Sequence, residues 1–230
     1  MPEPSGPADH PFRGRAPTSH ERLAGRPWDA SYQEGTPPWE IGQPQPAMVR
    51  FAARVRFAGP VLDAGCGTGE HALYVASLGL AVWGVDVAET ALEVARKKAH
   101  DRGLQCTFAL VDALHLERLG REFKTVLDCG LFHTFDGEER LRYAASLASV
   151  TAPEGTLHVL CFSDEGPDPG PHPISQEDLR TAFCPGKGWH VAEVEPERIK
   201  TRDPGNRGAP AWIATIQRVS TEDAAERVGG

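Results

Sequence analysis

Val61-Leu62-Asp63-Ala64-Gly65-Cys66-Gly67-Thr68-Gly69 is the stretch that decides the fold of this chain. Val61 to Ala64 reads as a short buried strand, the glycines follow at alternate positions, and an amphipathic segment runs from about Glu70 to Leu78. The pattern is strand, glycine turn, helix, with bare backbone where a ligand can approach. A dinucleotide fingerprint, G-x-G-x-x-G, needs its third glycine at position 70, where Glu70 stands. Asp63 at the strand end would repel a pyrophosphate and suits a cationic ligand. A tight turn that only packs helix on strand is the plain alternative.

Outward from this stretch the unit recurs. Ala81 to Asp86 reads as a second strand, after which Ala88, Ala91, Leu92, Ala95 and Ala99 fall at helical spacing, with Glu93 four residues before Lys97. Gln105 to Val111 and Lys124 to Leu127 are further strands, and Leu141, Ala144, Ala145 and Ala148 share one helical face. Pro153-Glu154-Gly155 turns the chain into a fifth strand, Thr156 to Phe162. Ser175 with Asp178 three residues on predicts a capped helix through about Phe183. Trp189 to Val194 and Ala211 to Gln217 have no room for a helix between them, so they pair antiparallel. The expected fold is α/β, a doubly wound, mainly parallel sheet ending in an antiparallel C-terminal hairpin.

A chain of 230 residues suits one cored domain. Residues 1–27 lack periodicity and read as a flexible tail, 28–219 as the domain with a lid over 28–46, and 220–230 as a frayed end. No apolar run approaches the roughly 18 residues that span a bilayer, so no membrane partner is expected. The N-terminus lacks the features of a secretory signal, which points to the cytoplasm. Five widely spaced cysteines show no C-x-x-C and no zinc-type histidine spacing, so neither disulfides nor a metal is indicated. A formal charge of -8 without a basic stripe opposes nucleic acid and favours a small-molecule substrate.

Asp86 ends the second strand 17 residues after Gly69, close to the spacing at which an acid accepts from ribose hydroxyls. Asp112, after the third strand, is placed to accept from an adenine amino group. Either acid also reads as a solvated strand end. With these residues on the page, VLDAGCGTG, VDV, VDA and LDCG resemble the successive motifs of class I S-adenosylmethionine-dependent methyltransferases, over about Val61 to Phe162. The resemblance implies a Rossmann-like, seven-stranded sheet with an antiparallel last strand, and S-adenosyl-L-methionine as cofactor, leaving as S-adenosyl-L-homocysteine. Carried over by position, it implies that Asp63, Gly65 and Gly67 hold the methionine part, Asp86 with Val87 the ribose, and Asp112 with Ala113 the adenine. Gly130 would lie beside the methionine part.

Ligands of such sheets bind outside the carboxyl ends of the strands, so the acceptor pocket is expected among the later loops and the N-terminal segment. The segment from Trp28 to Pro46 is stiffened by proline and dense in aromatic surface. It resembles the thiopurine and halide/thiol methyltransferases, and more closely the bacterial enzymes that methylate heterocyclic toxins such as hydroxyquinolones. Trp28, Tyr32, Phe132 and Phe162 are the expected substrate contacts, and Trp39 faces the cofactor, where an aromatic face suits a sulfonium. The same rings could instead pack the arm on the domain. His133, after the fourth strand, is the expected catalytic base, because a histidine of ordinary pKa near 6.5 removes a proton near neutral pH. A capping or hydrogen-bonded histidine is the alternative there. His71 is placed to pack rather than react, and the proline-rich segment Ser163 to Pro173 closes one side; its His172 reads as an exposed loop histidine, with a substrate contact the alternative.

The reading is therefore O-methylation of a hydroxylated aromatic heterocycle or phenol, with S-methylation of a small thiol or thiopurine second. From other classes stand a nicotinamide oxidoreductase, opposed by Glu70 and Asp63, and a non-catalytic cofactor-binding protein. Oligomeric state has no signature in the sequence.

Overall fold

The computed structural model describes residues 12–165, 172–202 and 207–219. Strands β1 (Val61–Ala64), β2 (Val82–Asp86), β3 (Thr107–Leu110), β4 (Phe123–Cys129), β5 (Thr151–Phe162), β6 (Trp189–Ile199) and β7 (Ala209–Arg218) form one sheet in the order β3-β2-β1-β4-β5-β7-β6. β1 pairs in parallel with β2 and β4, so Ala64 lies beside Val85 and Asp128. β7 runs antiparallel between β5 and β6. The strand order reverses between β1 and β4, where the following loops part and open a crevice at the carboxyl ends.

Helices α1 (Ser19–Ala24), α2 (Trp28–Gln33), α3 (Pro46–Arg54), α4 (Glu70–Ser77), α5 (Glu89–Arg102), α6 (Gly137–Ala148) and α7 (Gln176–Ala182) surround the sheet. β1 is buried at every position, as a central parallel strand must be. Its alternation sends Leu62 into one core with Val126, Tyr143 and Trp189, and Val61 into another with Leu73, Leu92 and Leu127. Ser175 and Asp178 form the expected capping box of α7.

Two expectations are corrected. Part of the supposed tail is structured: Thr18 and Glu21 form a capping box for α1. Glu21, only 1% exposed, also accepts from the Trp28 amide and pairs with Arg15. Ser19 donates from its amide (2.7 Å) and hydroxyl (2.5 Å) to Glu139 of α6. These bonds supply ordering energy that composition does not show. Residues 1–11 of that segment, and the expected C-terminal tail 220–230, lie outside the described residues. Pro153-Glu154-Gly155, expected to precede β5, instead bulges within it: Phe123 pairs with Thr151 and Thr125 with Thr156, while Glu154 takes a φ of 60°.

His158 of β5 sits 2% exposed between the rings of Phe51 and Phe57, at centroid distances of 4.8 and 5.5 Å. Burial pushes its pKa from 6.5 down to about 4. The unfolded chain therefore takes up this proton first. The neutral imidazole's full contribution to stability is present above pH 6.5 and is lost as pH falls toward 4. Urea unfolding at pH 7.5 and 5 is expected to show a stability loss for wild type exceeding that of His158→Gln by about 2 kcal/mol, from 1.36 kcal/mol per pKa unit.

Candidate active site

A cavity of about 420 Å³ opens over the crevice between β1 and β4. One wall is the glycine loop, where Gly65 and Gly67 take left-handed φ values of 70° and 51°. A Cβ at Gly65 would stand 2.9 Å from the Leu131 side chain, and one at Gly67 2.9 Å from the Tyr32 hydroxyl. Hydrogen alone fits both places. Asp86 fixes this wall: its Oδ2 accepts from the Gly67 amide at 2.8 Å and its Oδ1 from the Ala88 amide at 2.9 Å. Burial raises its pKa, because water is excluded, while the two amides and the charge of Arg15 work the other way. Asp112 accepts from the Leu114 amide at 2.9 Å, capping a 3₁₀ turn over Ala113–Leu119.

Of the residues expected at the cofactor end, Trp39, Gly65, Gly67, Asp86, Val87, Asp112, Ala113 and Gly130 all line the cavity. Trp28, Tyr32, His133 and Phe162 line it as well. Trp39 donates from Nε1 to the Tyr32 hydroxyl at 3.1 Å, and its ring meets Trp28 edge to face at 5.5 Å.

Three expectations need correction. Asp63 is 1% exposed and is absent from the cavity wall; its carboxylate accepts from the Ala72 amide of α4 at 3.0 Å. Burial pushes its pKa up to about 7, so it supports the glycine loop from behind. Phe132 is fully buried and packs on Phe183, 5.4 Å between centroids, because Asp128 accepts its amide at 3.0 Å and turns the ring inward. It is core, not a substrate contact. His133 does line the cavity, but its Nδ1 accepts from the Phe162 amide at 3.4 Å, and burial, then His172, His20 and Arg140, push its pKa down to about 3. It stands neutral with the proton on Nε2, which makes it a hydrogen-bond donor and a poor base.

Several lining residues escaped the sequence reading. Glu40 accepts from the Thr68 hydroxyl next to the glycine loop, and Lys98 donates to the same hydroxyl at 2.6 Å. The Gln45 amide donates to His71 Nε2 at 3.0 Å, and the Gln45 side chain makes a two-way bond with the Lys200 backbone, 2.8 and 2.9 Å. His71, with its pKa pushed down to about 4 by burial, is a neutral clamp on the segment before α3. His20 also faces the cavity, and His172, exposed on the proline-rich segment, reaches its wall as well, so only His20 of the two escaped the sequence reading. Glu40 and Gln45 lie inside the aromatic segment singled out above, but their roles depend on contacts distant in sequence. Of the proline-rich loop, residues 166–171 lie outside the described residues.

The donor set can be tested against the cofactor. Glu40, Asp86 and Asp112 line the cavity with the open glycine backbone. Half-buried carboxylates suit a ligand that brings an ammonium and hydroxyl groups. S-adenosylmethionine carries both, and the residues fit it.

A seven-stranded sheet of this order with such a loop defines a Rossmann-like methyltransferase fold. The comparisons agree: a methyltransferase-domain family model matches residues 61–155. The chain is 36% identical over 198 residues to 2-heptyl-1-hydroxyquinolin-4(1H)-one methyltransferase of Mycobacteroides abscessus, covering 84% of this chain and 81% of that protein. It is 27% identical over 161 residues to probable thiol methyltransferase 2 of Arabidopsis thaliana, covering 69% and 71%. A solved structure from the conversion of a disulfide bond into a thioacetal group during echinomycin biosynthesis superimposes with a TM-score of 0.76 at 33% identity, covering 87% and 94%. The chain belongs to the S-adenosylmethionine-dependent methyltransferases. It is an enzyme acting on a small molecule, with S-adenosyl-L-methionine as its cofactor.

Asp86→Ala is expected to weaken S-adenosylhomocysteine binding by about 1 to 3 kcal/mol, the scale of unmade buried hydrogen bonds. Calorimetric titration checks this, and a thermal melt run beside it separates lost affinity from lost folding.

Proposed function

We propose that this enzyme methylates a hydroxyl oxygen on a planar aromatic heterocycle. The observation that carries the reading is the lining of the cavity. Beside acids and glycine backbone it presents Trp28, Leu131, Phe135 and Phe162 together with the imidazoles of His20, His133 and His172. A flat, largely apolar ring with one polar edge suits such walls. The hydroxyquinolinone named for the Mycobacteroides relative is of this kind.

In this reading Gly65, Gly67 and Gly130 flank the methionine part, Asp86 and Val87 the ribose, and Asp112 and Ala113 the adenine, with Trp39 over the sulfonium. When bound, the cofactor supplies a methyl group already activated by its sulfonium leaving group. The chain's own work is alignment and exclusion of water. Trp28, Tyr32 and Phe162 hold the acceptor ring, and His133 donates from Nε2 to the acceptor oxygen. A small thiol is the second reading, supported by the name of the Arabidopsis relative, but it leaves the aromatic walls unfilled. The net charge of -8 speaks against nucleic acid as acceptor. No helix among the described residues is long and apolar enough to cross a membrane. All five cysteines are free, which fits the reducing cytoplasm as the place of action.

Incubation with S-adenosylmethionine and a panel of hydroxyquinolines and thiophenols, read by product mass, tests the proposal. O-methylated hydroxyquinolines are expected; methylation confined to the thiols would overturn the oxygen assignment. His133→Ala is expected to lower kcat about 10- to 100-fold, the value of one preorganised donor or somewhat less, while S-adenosylhomocysteine binds within about twofold of wild type. Equal losses in both would mark His133 as structural.

A further inference from the structure

His133, held neutral with Nδ1 occupied, leaves an acceptor hydroxyl without a base. A second imidazole group faces the same cavity. His20 projects from α1, half-buried, with its ring stacked on Trp28 at a centroid distance of 4.3 Å and an angle of 7°. Its Nδ1 lies 3.3 Å from Nε2 of His172, whose side chain belongs to an exposed residue. His172 takes a left-handed φ of 54°, uncommon for a residue with a Cβ, and in that conformation its ring meets His20 edge to face at 5.4 Å. The contact uses one nitrogen of each ring. Nε2 of His20 is left for a ligand in the cavity and Nδ1 of His172 for solvent.

We propose that the His20–His172 pair is the base of this site, taking the proton of an acceptor hydroxyl and passing it to bulk water. The inference rests on the hydroxylated acceptor proposed above. In the step, the acceptor O–H bond breaks, its electron pair stays on oxygen, and the proton joins His20 Nε2. The Nδ1 proton of His20 moves to His172 Nε2, and the Nδ1 proton of His172 leaves to water. One proton enters the pair and one departs, and no oxidant or metal takes part.

The surroundings keep the pair ready to accept. Burial and the neighbouring His172 lower the pKa of His20, and Glu21 on the same helix raises it. Glu21 is neutralised by Arg15 and by the amides of Thr18 and Trp28. His133 lines the same cavity from the turn after β4.

Two measurements on the full chain decide the matter. In imidazole NMR titrations of the S-adenosylhomocysteine complex, His172→Asn is expected to raise the apparent His20 pKa, since the neighbouring imidazole lowers it. In steady-state assays over the hydroxyquinoline panel, His20→Gln and His172→Asn are expected to lose more kcat as the acceptor becomes less acidic. The loss should be at least roughly tenfold greater for members protonated at the assay pH than for members already ionised, since a general base contributes about 10² to 10⁴ in rate. His172→Asn keeps α1 and its Trp28 stack intact, so a loss there is not a folding defect. Losses independent of acceptor acidity would overturn the base and leave the pair a packing contact. A His20 titration indifferent to His172→Asn would overturn it too. Failure of every panel member to turn over would remove the acceptor class itself, and with it this base.

Discussion

One carboxylate meeting two backbone amides holds this site in shape. Asp86 joins the Gly67 amide of the first crossover to the Ala88 amide of the second, across the carboxyl ends of β1 and β2. Without it the glycine loop, whose left-handed residues have lost much conformational entropy, would lack its cross-tie. Asp63 does the same from behind by accepting from α4. Burial raises the pKa of each, with Arg15 working against it at Asp86. A cofactor that brings an ammonium and hydroxyl groups suits carboxylates placed in this way.

Carboxylates, imidazoles and aromatic rings share the wall of one cavity. His71 and His133 are both neutral, but for different purposes. His71 is an acceptor that fastens Gln45 and so the chain entering α3. His133 accepts from Phe162 and thereby presents its other nitrogen as a donor. A histidine's role here is set by the hydrogen bond that its second nitrogen makes.

The sheet was legible because central parallel strands and the glycine turn leave local patterns: Val61 to Ala64 is apolar where it must be buried, and three glycines stand where backbone must come close. The C-terminal pair was legible because no helix fits between Trp189 and Gln217. What stayed hidden depends on contacts far apart in sequence. Asp63 carries the right charge for an ammonium, yet its orientation toward Ala72 is a tertiary fact. Phe132 and Phe162 are equally aromatic, and only the Asp128 bonds to the following turn send Phe132 into the core. The capping box Thr18-Ser19-His20-Glu21 was a readable local signal, obscured by the prolines and glycines around it.

That box bears on how acceptor choice is encoded. The family model covers residues 61–155, the part that builds the glycine loop, Asp86 and the turn that Asp112 caps. His20, Trp28, Tyr32, Phe162 and His172 all lie outside it. They reach the cavity because α1 is docked on α6 through Ser19 and Glu139, and because Ile174 bridges back to the end of β5 through its backbone bond with Phe162. Both attachments grip backbone or conserve a capping geometry, and neither involves the side chains that face the acceptor. Those side chains can therefore change without unfastening the segments that carry them, whereas the glycine loop cannot change without losing its own fold.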